Sequence, residues 1–485
     1  MTSGSCGERL FEAPRVEGAA APRPAAAKTF RSYDPDQVFL MPPSLNEWLP
    51  EDHPARFVSE LVDEMLDLTA VYASYTEASG APPYHPRLML KLLIYAYASG
   101  VTSSREIERR CATDVAFRFL SGNAAPDYRS ISRFRRRHLE TVKALFVQVL
   151  RLCGKAGLVK LGRVAIDGTK VRAAASRHKA MSYDRMVKRQ TELEAEVEAL
   201  LADAERTDAE EDERFGSEHR GDEIPAELAR RESRLAKLRA AKEALETEAR
   251  EKAAADAAER ARARGENPEA QAGAAARAAE AATPRPKAQR NFTDPESRIM
   301  KMADGSFHQC FNGQVAALAG TGVIVGAQMS NVAPDVTHLL GVLDDVIKNC
   351  EATPRQAVAD AGYWSEANAA GVAERDVDGY IATGRTKHSE PAAPAPRGRI
   401  PASATPKERM ARKLRTKKGK AIYARRKVDV EPVIGQMKGR QNAGRVRLRG
   451  LDGASGEWLL HCLCHNVLKL HSSARPARPA RLATS

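Results

Sequence analysis

Hydrophobic positions in the first third of the chain recur with the spacing of helices. Residues 86–99 are apolar nearly all round and predict a buried helix. Residues 130–152 carry apolar side chains on one face only and predict a long amphipathic helix. Together with the shorter helical patterns around them, these segments predict an all-α N-terminal domain over residues 31–157.

Beyond this region the pattern changes to short apolar runs, which are typical of strands buried on both faces of a sheet. Helical segments separate the runs, and two of the strands form a hairpin with a glycine-bearing turn. The strands and helices are predicted, in chain order, at 164–166, 306–331 (the hairpin), 335–350 (helix), 356–361, 365–375 (helix) and 379–383. The fold class predicted is α/β, with a mixed sheet flanked by helices and formed by residues 158–182 and 291–475.

A segment of different composition interrupts this α/β domain. Residues 183–263 are rich in Ala, Glu, Arg and Lys and carry two apolar stripes near heptad spacing. Gly216, Gly221 and Pro225 lie between the stripes and would allow the chain to reverse. We interpret the segment as an inserted antiparallel helical hairpin, and a simple dimerising coiled coil is the alternative. The following residues, 264–290, are predicted to be a linker.

Positive charge is concentrated late in the chain. The net charge is +13, and the segment 405–450 alone carries 16 Lys and Arg against three acids. Such a local field favours a polyphosphate partner such as nucleic acid, with a solvated basic tail as the alternative. The start of the helix at 130–152 is also basic, which is typical of helix-turn-helix DNA-binding domains and equally of an exposed basic face. Its candidate DNA contacts are Arg133, Arg136 and Arg137.

Several classes of protein are disfavoured by what the sequence lacks. It has no apolar run long enough to span a membrane and no signal-type N-terminus. Its seven cysteines are scattered and form no CxxC pair, which predicts a reducing compartment without disulfides or a zinc ribbon. No Walker-type phosphate loop indicates ATP use. We therefore expect a cytoplasmic protein with no membrane partner, whose ends, residues 1–30 and 476–485, are disordered.

Three acidic residues stand where a cation site can form. Asp167 and Asp360 each end a predicted buried strand, where an ionised carboxylate requires a cation, a hydrogen-bonding turn or a metal. Glu431 lies in a helical stretch, and Lys427 and Lys438 share its face if that helix is continuous. Ligand sites in open α/β sheets form outside strand ends, so these carboxylates can hold one or two Mg²⁺ or Mn²⁺ ions. Two such ions would clamp the attacking and leaving oxygens of a phosphoryl displacement.

Longer blocks around these acids match a known family. They include AIDGTKVRAAASRHKAMSYDRM, ADAGYWSEAN and VEPVIGQMKGR, in this order. Over residues 33–471 the chain resembles bacterial insertion-sequence transposases of the DDE type, which have an RNase H-like catalytic core. The resemblance implies that Asp167, Asp360 and Glu431 are the catalytic acids and the ligands of two Mg²⁺ or Mn²⁺ ions.

The resemblance also extends to a Tyr–Arg–Glu–Lys signature around the glutamate. Tyr423, Arg426, Glu431 and Lys438 match it, although the Arg-to-Glu gap is one residue longer than usual and Lys427 stands at the usual arginine spacing. The resemblance implies that Tyr423 and these cations contact double-stranded DNA. It further implies strand transfer at terminal inverted repeats into target DNA by a homodimer or higher multimer, in association with the bacterial nucleoid. An inactive or domesticated transposase that only binds DNA is the alternative.

Overall fold

The computed structural model describes residues 44–75, 83–176, 179–215, 226–384, 395 and 397–474. The two ends predicted to be disordered, residues 1–30 and 476–485, lie outside this part of the chain. The predicted reversal at Gly216, Gly221 and Pro225 also lies outside it.

The first part of the described chain is helical, as its apolar spacing predicts. The run that predicts a buried helix forms α4, which is confirmed as buried. One prediction is wrong, because the helix expected over 130–152 is broken at His138, whose ψ is 20°. The buried His138 ring packs on Phe134 with ring centroids 4.4 Å apart, which fixes the bend. The helices are α1 (Leu45–Trp48), α2 (Pro54–Glu60), α3 (Thr69–Ala73), α4 (Pro86–Ala98), α5 (Ser104–Thr113), α6 (Val115–Ser121), α7 (Tyr128–Arg137) and α8 (Leu139–Lys155).

Six of the strands form one mixed sheet, which confirms the predicted α/β class. The strands are β1 (Arg163–Arg172), β2 (Ala180–Ser182), β3 (Gln289–Asn291), β4 (Arg298–Lys301), β5 (Phe307–Leu318), β6 (Ile324–Ser330), β7 (Gln356–Ala359) and β8 (Asp378–Ile381). Strand β1 is antiparallel to β5 and parallel to β7, and β7 is parallel to β8. Strand β5 also pairs with β4 and with β6. The antiparallel β5–β6 pair confirms the predicted hairpin.

Strand β1 pairs with β5 over a longer stretch than it pairs with β7. Its pairing with β7 has therefore ended before Asp167. Against β5, the pairing runs from Val164 to Arg172. Against β7, it stops at Ala165. The prediction that the first strand ends at Asp167 is therefore wrong, because β5 continues to pair with β1 beyond that residue. Asp167 nevertheless lies just past the last residue paired with β7, on the side where β7 itself ends.

The remaining helices cover the sheet and join it to the N-terminal helices. They are α12 (Leu339–Cys350), α13 (Glu366–Glu374), α14 (Pro406–Arg415), α15 (Lys417–Ala424), α16 (Arg426–Gly439) and α17 (Leu451–Ala474). Helix α17 packs against α4, α8 and β6, so the helical part and the sheet share one hydrophobic core. Its fully buried Trp458 donates from Nε1 to the carbonyl oxygen of Gln314, 3.1 Å away. The indole packs on Gly313, where a Cβ would lie only 2.9 Å from the ring.

Residues of the segment predicted as an insertion form α9 (Tyr183–Phe215) and α10 (Ala226–Ala263), which run antiparallel. Arg239 pairs with Glu194 at 2.8 Å, and Arg231, earlier in α10, pairs with the later Glu196 at 2.9 Å. A small core of its own holds the base of the pair, formed by Met186, Leu238, Ala241 and Leu245.

The linker predicted over 264–290 is wrong, because it contains a further helix, α11 (Pro268–Glu280). Asn267 caps this helix by accepting the N–H of Ala270 at 2.8 Å, and proline at the first helical position has a favourable backbone angle. Its alanine-rich surface lets it pack closely along α10. Strands β2 and β3 then pair with each other and close the base of the insertion. In the described part of the chain, no helix combines the length and the apolar character needed to cross a bilayer.

Candidate active site

The three predicted acids converge on one side chain, Arg426, in the first turn of α16. Its Nη1 atom lies 3.2 Å from Oδ2 of Asp167, and its Nη2 atom lies 3.7 Å from Oε1 of Glu431. Burial opposes the charge of the guanidinium, but the carboxylates of Asp167, Asp360 and Glu431, with the Tyr423 phenol, outweigh it and raise the pKa of Arg426. Acids that are distant in sequence are therefore close enough to act on one cation.

Asp167 is the most constrained of the three acids. Its side chain is only 19% exposed, and Oδ1 accepts the backbone N–H of Gly168 at 2.9 Å. Burial, together with repulsion from Asp360 and Asp335, raises its pKa to about 6 in spite of the attraction of Arg426. A carboxyl that ionises reluctantly beside other carboxylates is an environment that an added cation stabilises.

The other two acids are more open. Asp360 directly follows β7 and caps a short 3₁₀ turn, Ala361–Tyr363, where its Oδ1 accepts the N–H of Gly362 at 2.8 Å. The side chain of Glu431 is 51% exposed. Helix α16 continues through Pro432, so the helical continuity needed to place Lys427 and Lys438 with Glu431 is present.

A fourth acid, Asp335, lies beside this group and was missed by reasoning from the sequence. Its Oδ1 atom accepts hydrogen bonds from three side chains: Lys170 Nζ at 3.1 Å, Asn312 Nδ2 at 2.8 Å and Gln314 Nε2 at 3.0 Å. Tyr363, which is fully buried, donates to Oε1 of Gln314. The available signal was the two amides Asn312 and Gln314 among the buried residues of β5, because buried amides require partners.

Two glycines leave room for the carboxylate of Asp335. A Cβ on Gly168 would collide with the amide of Gln314 and lie 2.8 Å from Oδ1 of Asp335. A Cβ on Gly362 would lie 3.0 Å from Oδ1 of Asp360 and 3.6 Å from Oδ2 of Asp335. Each glycine follows one of the predicted strand-end acids by one or two residues. Asp335 therefore lies between the two segments that carry those acids.

Two family models match this chain. A model described as a transposase domain (DUF772) matches residues 43–137, and one described as a transposase DDE domain matches residues 398–471. Both matches support an insertion-sequence transposase of the DDE type. No curated protein and no solved structure matches it.

The two matched segments contribute different parts of this transposase. The transposase-domain match contains helices α1 to α7, and the DDE-domain match contains Arg426 and Glu431. Asp167 and Asp360 lie outside both matches. Their association with Arg426 therefore depends on the sheet geometry and on the residues themselves.

The residues predicted to contact DNA fall into two groups. Lys427, Arg133, Arg136 and Arg137 are exposed. Arg426, by contrast, has a side chain that is only 11% exposed and is engaged by acids. Burial lowers the pKa of Lys438, whose Nζ donates to the carbonyl oxygen of Lys170 at 3.2 Å. Tyr423 is partly buried, and that burial raises the pKa of its phenol.

The exposed arginines of α7 border one open groove of about 620 Å³. Its lining residues are Tyr128, Arg129, Ser132, Arg133, Arg136 and Arg137. The guanidinium of Arg137 also lies over the ring of Tyr75, 4.4 Å from its centroid. The surface is basic and aromatic and faces solvent, which are the properties that nucleic-acid backbones select.

Proposed function

We propose that this transposase cleaves DNA and transfers strands at the terminal inverted repeats of its insertion sequence. Asp167, Asp360 and Glu431 are its catalytic acids, and its sheet is RNase H-like. The single observation that carries the proposal is the convergence of these acids on Arg426, from β1, from the end of β7 and from α16.

The chemistry of the donor set fits a hard divalent cation. All donors are carboxylates, and oxygen ligands are those that Mg²⁺ and Mn²⁺ prefer. In the described residues, no three acids are placed to share one ion as they stand, and Arg426 lies between Asp167 and Glu431. Glu431 thus joins the other two acids when the guanidinium moves aside. Asp167 and Asp360, whose charges repel, gain most from a bound cation.

When bound, one or two such ions activate the attacking oxygen and stabilise the leaving oxygen of the scissile phosphodiester. The residues of the chain hold and orient the reacting groups. Asp167 acts in its ionised form, which it reaches above about pH 6. Arg426, once it has left Asp167, presents a planar fork of donors that matches a DNA phosphate. The exposed Lys427 beside it adds a second charge for the backbone.

The DNA path that we propose joins two basic surfaces. One is the groove on α7, and the other is the exposed face of α14 and α15 with the start of α16. Exposed cations of the second surface are Lys407, Arg409, Arg415, Lys417, Lys418, Arg425 and Lys427. Tyr423, at the end of α15, lies within electrostatic reach of Asp167 and Asp360, so this surface leads directly to the acids. We further propose that a homodimer or higher multimer of this chain binds the two inverted repeats together as a pair.

Nicking of inverted-repeat DNA in Mg²⁺ or Mn²⁺ tests the proposal. We expect Asp167→Asn, Asp360→Asn and Glu431→Gln to abolish nicking while DNA affinity is retained. The control is Asp304→Asn, in the turn between β4 and β5, which should nick at the wild-type rate. An acid variant that still nicks would remove that acid from the site.

A second candidate is a transposase that binds DNA without cutting it. The position of Arg426 between two of the acids favours this candidate, because the guanidinium already neutralises part of their charge. The same assay separates the two functions, since the second predicts DNA binding without nicking in any divalent cation.

A further inference from the structure

We infer that Asp335 is a positioning residue, which fixes the strand that carries Asp167 relative to the turn that begins at Asp360. The inference rests on the proposed function, because it concerns the acids assigned there. Asp335 begins a 3₁₀ turn, Asp335–Thr337, between β6 and α12. It belongs to neither matched family segment.

The first link runs from Asp335 to β1. Lys170, three residues after Asp167 on the same strand, donates from Nζ to Oδ1 of Asp335 at 3.1 Å. The same ammonium donates to the carbonyl oxygen of Ala333 at 2.6 Å. Two hydrogen bonds to segment 333–335 therefore hold Lys170 of β1 just beyond the acid, where β7 no longer pairs with β1.

The second link runs from Asp335 to the turn after Asp360. Gln314 donates from Nε2 to Oδ1 of Asp335 at 3.0 Å, and its Oε1 accepts from the hydroxyl of Tyr363, the last residue of that turn. Asn368 adds a bridge, because its Nδ2 donates to the carbonyl oxygens of Tyr363 at 2.8 Å and Val336 at 2.7 Å. The two 3₁₀ turns are thus held to each other as well as to the sheet.

Burial makes these links stiff. Asn312, Gln314 and Tyr363 are each 0% exposed, so their polar groups have no access to water as a substitute partner. Removing the carboxylate of Asp335 would take one acceptor from each of two buried amides, Asn312 and Gln314, which is unfavourable. The backbone at Gly168 and at Gly362 already lies so close to the carboxylate of Asp335 that an added Cβ would contact it. A substitution of Asp335 should therefore change the distance between Asp167 and Asp360.

The half-maximal concentration of Mn²⁺ distinguishes a positioning role for Asp335 from a merely structural role, which would leave it unchanged. We would measure the rise in melting temperature as Mn²⁺ is added, the Mn²⁺ dependence of nicking, and DNA affinity in EDTA. For Asp335→Asn, we expect the half-maximal Mn²⁺ concentration to rise about 10-fold in both Mn²⁺ titrations, as for residues that orient metal ligands. DNA affinity in EDTA should stay within about twofold of wild type.

The matched control is Asp345→Asn. Asp345 is also a half-buried carboxylate that accepts from a glutamine amide, Gln328 Nε2 at 3.0 Å, but it lies on α12 and outside the acid cluster. It should bind Mn²⁺ as wild type does. If Asp335→Asn does not fold, Lys170→Met is the second variant. It removes a partly exposed donor to Asp335 and leaves the buried amides paired. We expect a smaller increase in its half-maximal Mn²⁺ concentration.

The outcomes separate the inference from the proposed function. A wild-type protein whose melting and nicking respond to Mn²⁺, with loss of both responses in Asp167→Asn, supports the acids as assigned. If Asp335→Asn and Lys170→Met then show the wild-type Mn²⁺ midpoint, the positioning role is overturned alone. A wild-type protein without any Mn²⁺ response overturns the proposed function and this inference with it.

Discussion

Two arginines of this transposase lie among acidic and phenolic side chains, in contrasting surroundings. Arg135, on α7, donates from Nη1 to the hydroxyl of Tyr97 at 2.6 Å and to the carbonyl oxygen of Thr102 at 3.0 Å. Tyr97 donates in turn to Oε1 of Glu457 at 2.7 Å, and both residues are 0% exposed. Arg426 instead faces two carboxylates at 3.2 and 3.7 Å, and one of them is half-exposed.

The difference lies in how the carboxylates are partnered. Oε2 of Glu457 accepts the backbone N–H groups of Arg447 at 2.7 Å and Leu448 at 2.9 Å, so this acid has three fixed donors. Three carboxylates act on the one guanidinium of Arg426, and repulsion from Asp360 and Asp335 contributes to the raised pKa of Asp167. A carboxylate whose acceptor positions are filled stabilises the fold, whereas a group of underpartnered carboxylates is available to a ligand.

Removal of the buried acid should have the largest effect on stability. We expect Glu457→Ala to lower the free energy of unfolding by about 3–5 kcal/mol. The change leaves Tyr97 and two backbone N–H groups without their acceptor, and it removes the negative charge nearest to the buried Arg135–Tyr97 pair. Chemical denaturation measures this change. Glu192→Ala is the control, since its exposed pair with Arg189 should contribute within about 0.5 kcal/mol. A loss as small as the control's would contradict a structural role for Glu457.

Removal of the underpartnered acid should have the opposite sign. The pKa of Asp167 is raised to about 6 in the folded protein, so its ionisation weakens the fold as pH rises through that value. At pH 7 we expect the free energy of unfolding of Asp167→Asn to exceed that of wild type by about 2 kcal/mol. This difference should disappear as the pH falls from about 6 to about 4. Asp304→Asn should not stabilise, because a hydrogen bond from Ser306 lowers the pKa of Asp304. A destabilised Asp167→Asn at pH 7 would contradict this reading.

The arginines of α7 provide the smallest expected effect and a comparison within one helix. Arg133 and Arg136 are exposed, whereas Arg135 points inward. Replacing Arg133 and Arg136 with Gln should weaken the salt dependence of DNA binding. The slope of the logarithm of the DNA association constant against the logarithm of the salt concentration should fall in magnitude by about one unit per lost phosphate contact. Arg135→Met should lower stability and leave the slope unchanged. Equal slopes in all variants would place the DNA away from α7.

Much of the sheet, and the presence of two acids beside it, could be predicted from sequence, because both depend on local patterns. Apolar runs predict β1 and β7, and a charged residue ends each run, at Asp167 and at Asp360. The continuation of β1 to Arg172 depends on its pairing with β5, which the apolar run does not reveal. The inward turn of Arg135 could not be predicted, because its acceptors come from α4 and the segment that follows it. Periodicity gives the face of a helix but not the partners that this face meets.

Asp335 was missed for a related reason. Its three donors come from two strands, β1 and β5, and only their pairing brings Lys170 and Gln314 to one point. The sequence likewise left Arg426 and Lys427 as equal matches to the signature arginine. In the structure Arg426 contacts the acids and Lys427 is exposed. Helix geometry decides this, because adjacent residues on a helix point in directions about 100° apart.

Iron-mediated cleavage of the chain tests the central claim most directly. Fe²⁺ exchanged into the cation site and treated with peroxide generates hydroxyl radicals that cut the backbone near the ion. We predict cuts beside residues 167, 360 and 431 in the wild-type protein, and their loss in Asp167→Asn or in excess Mg²⁺. Cuts at only one of these three positions, or cuts that persist in Asp167→Asn, would contradict a cation site shared by the three acids.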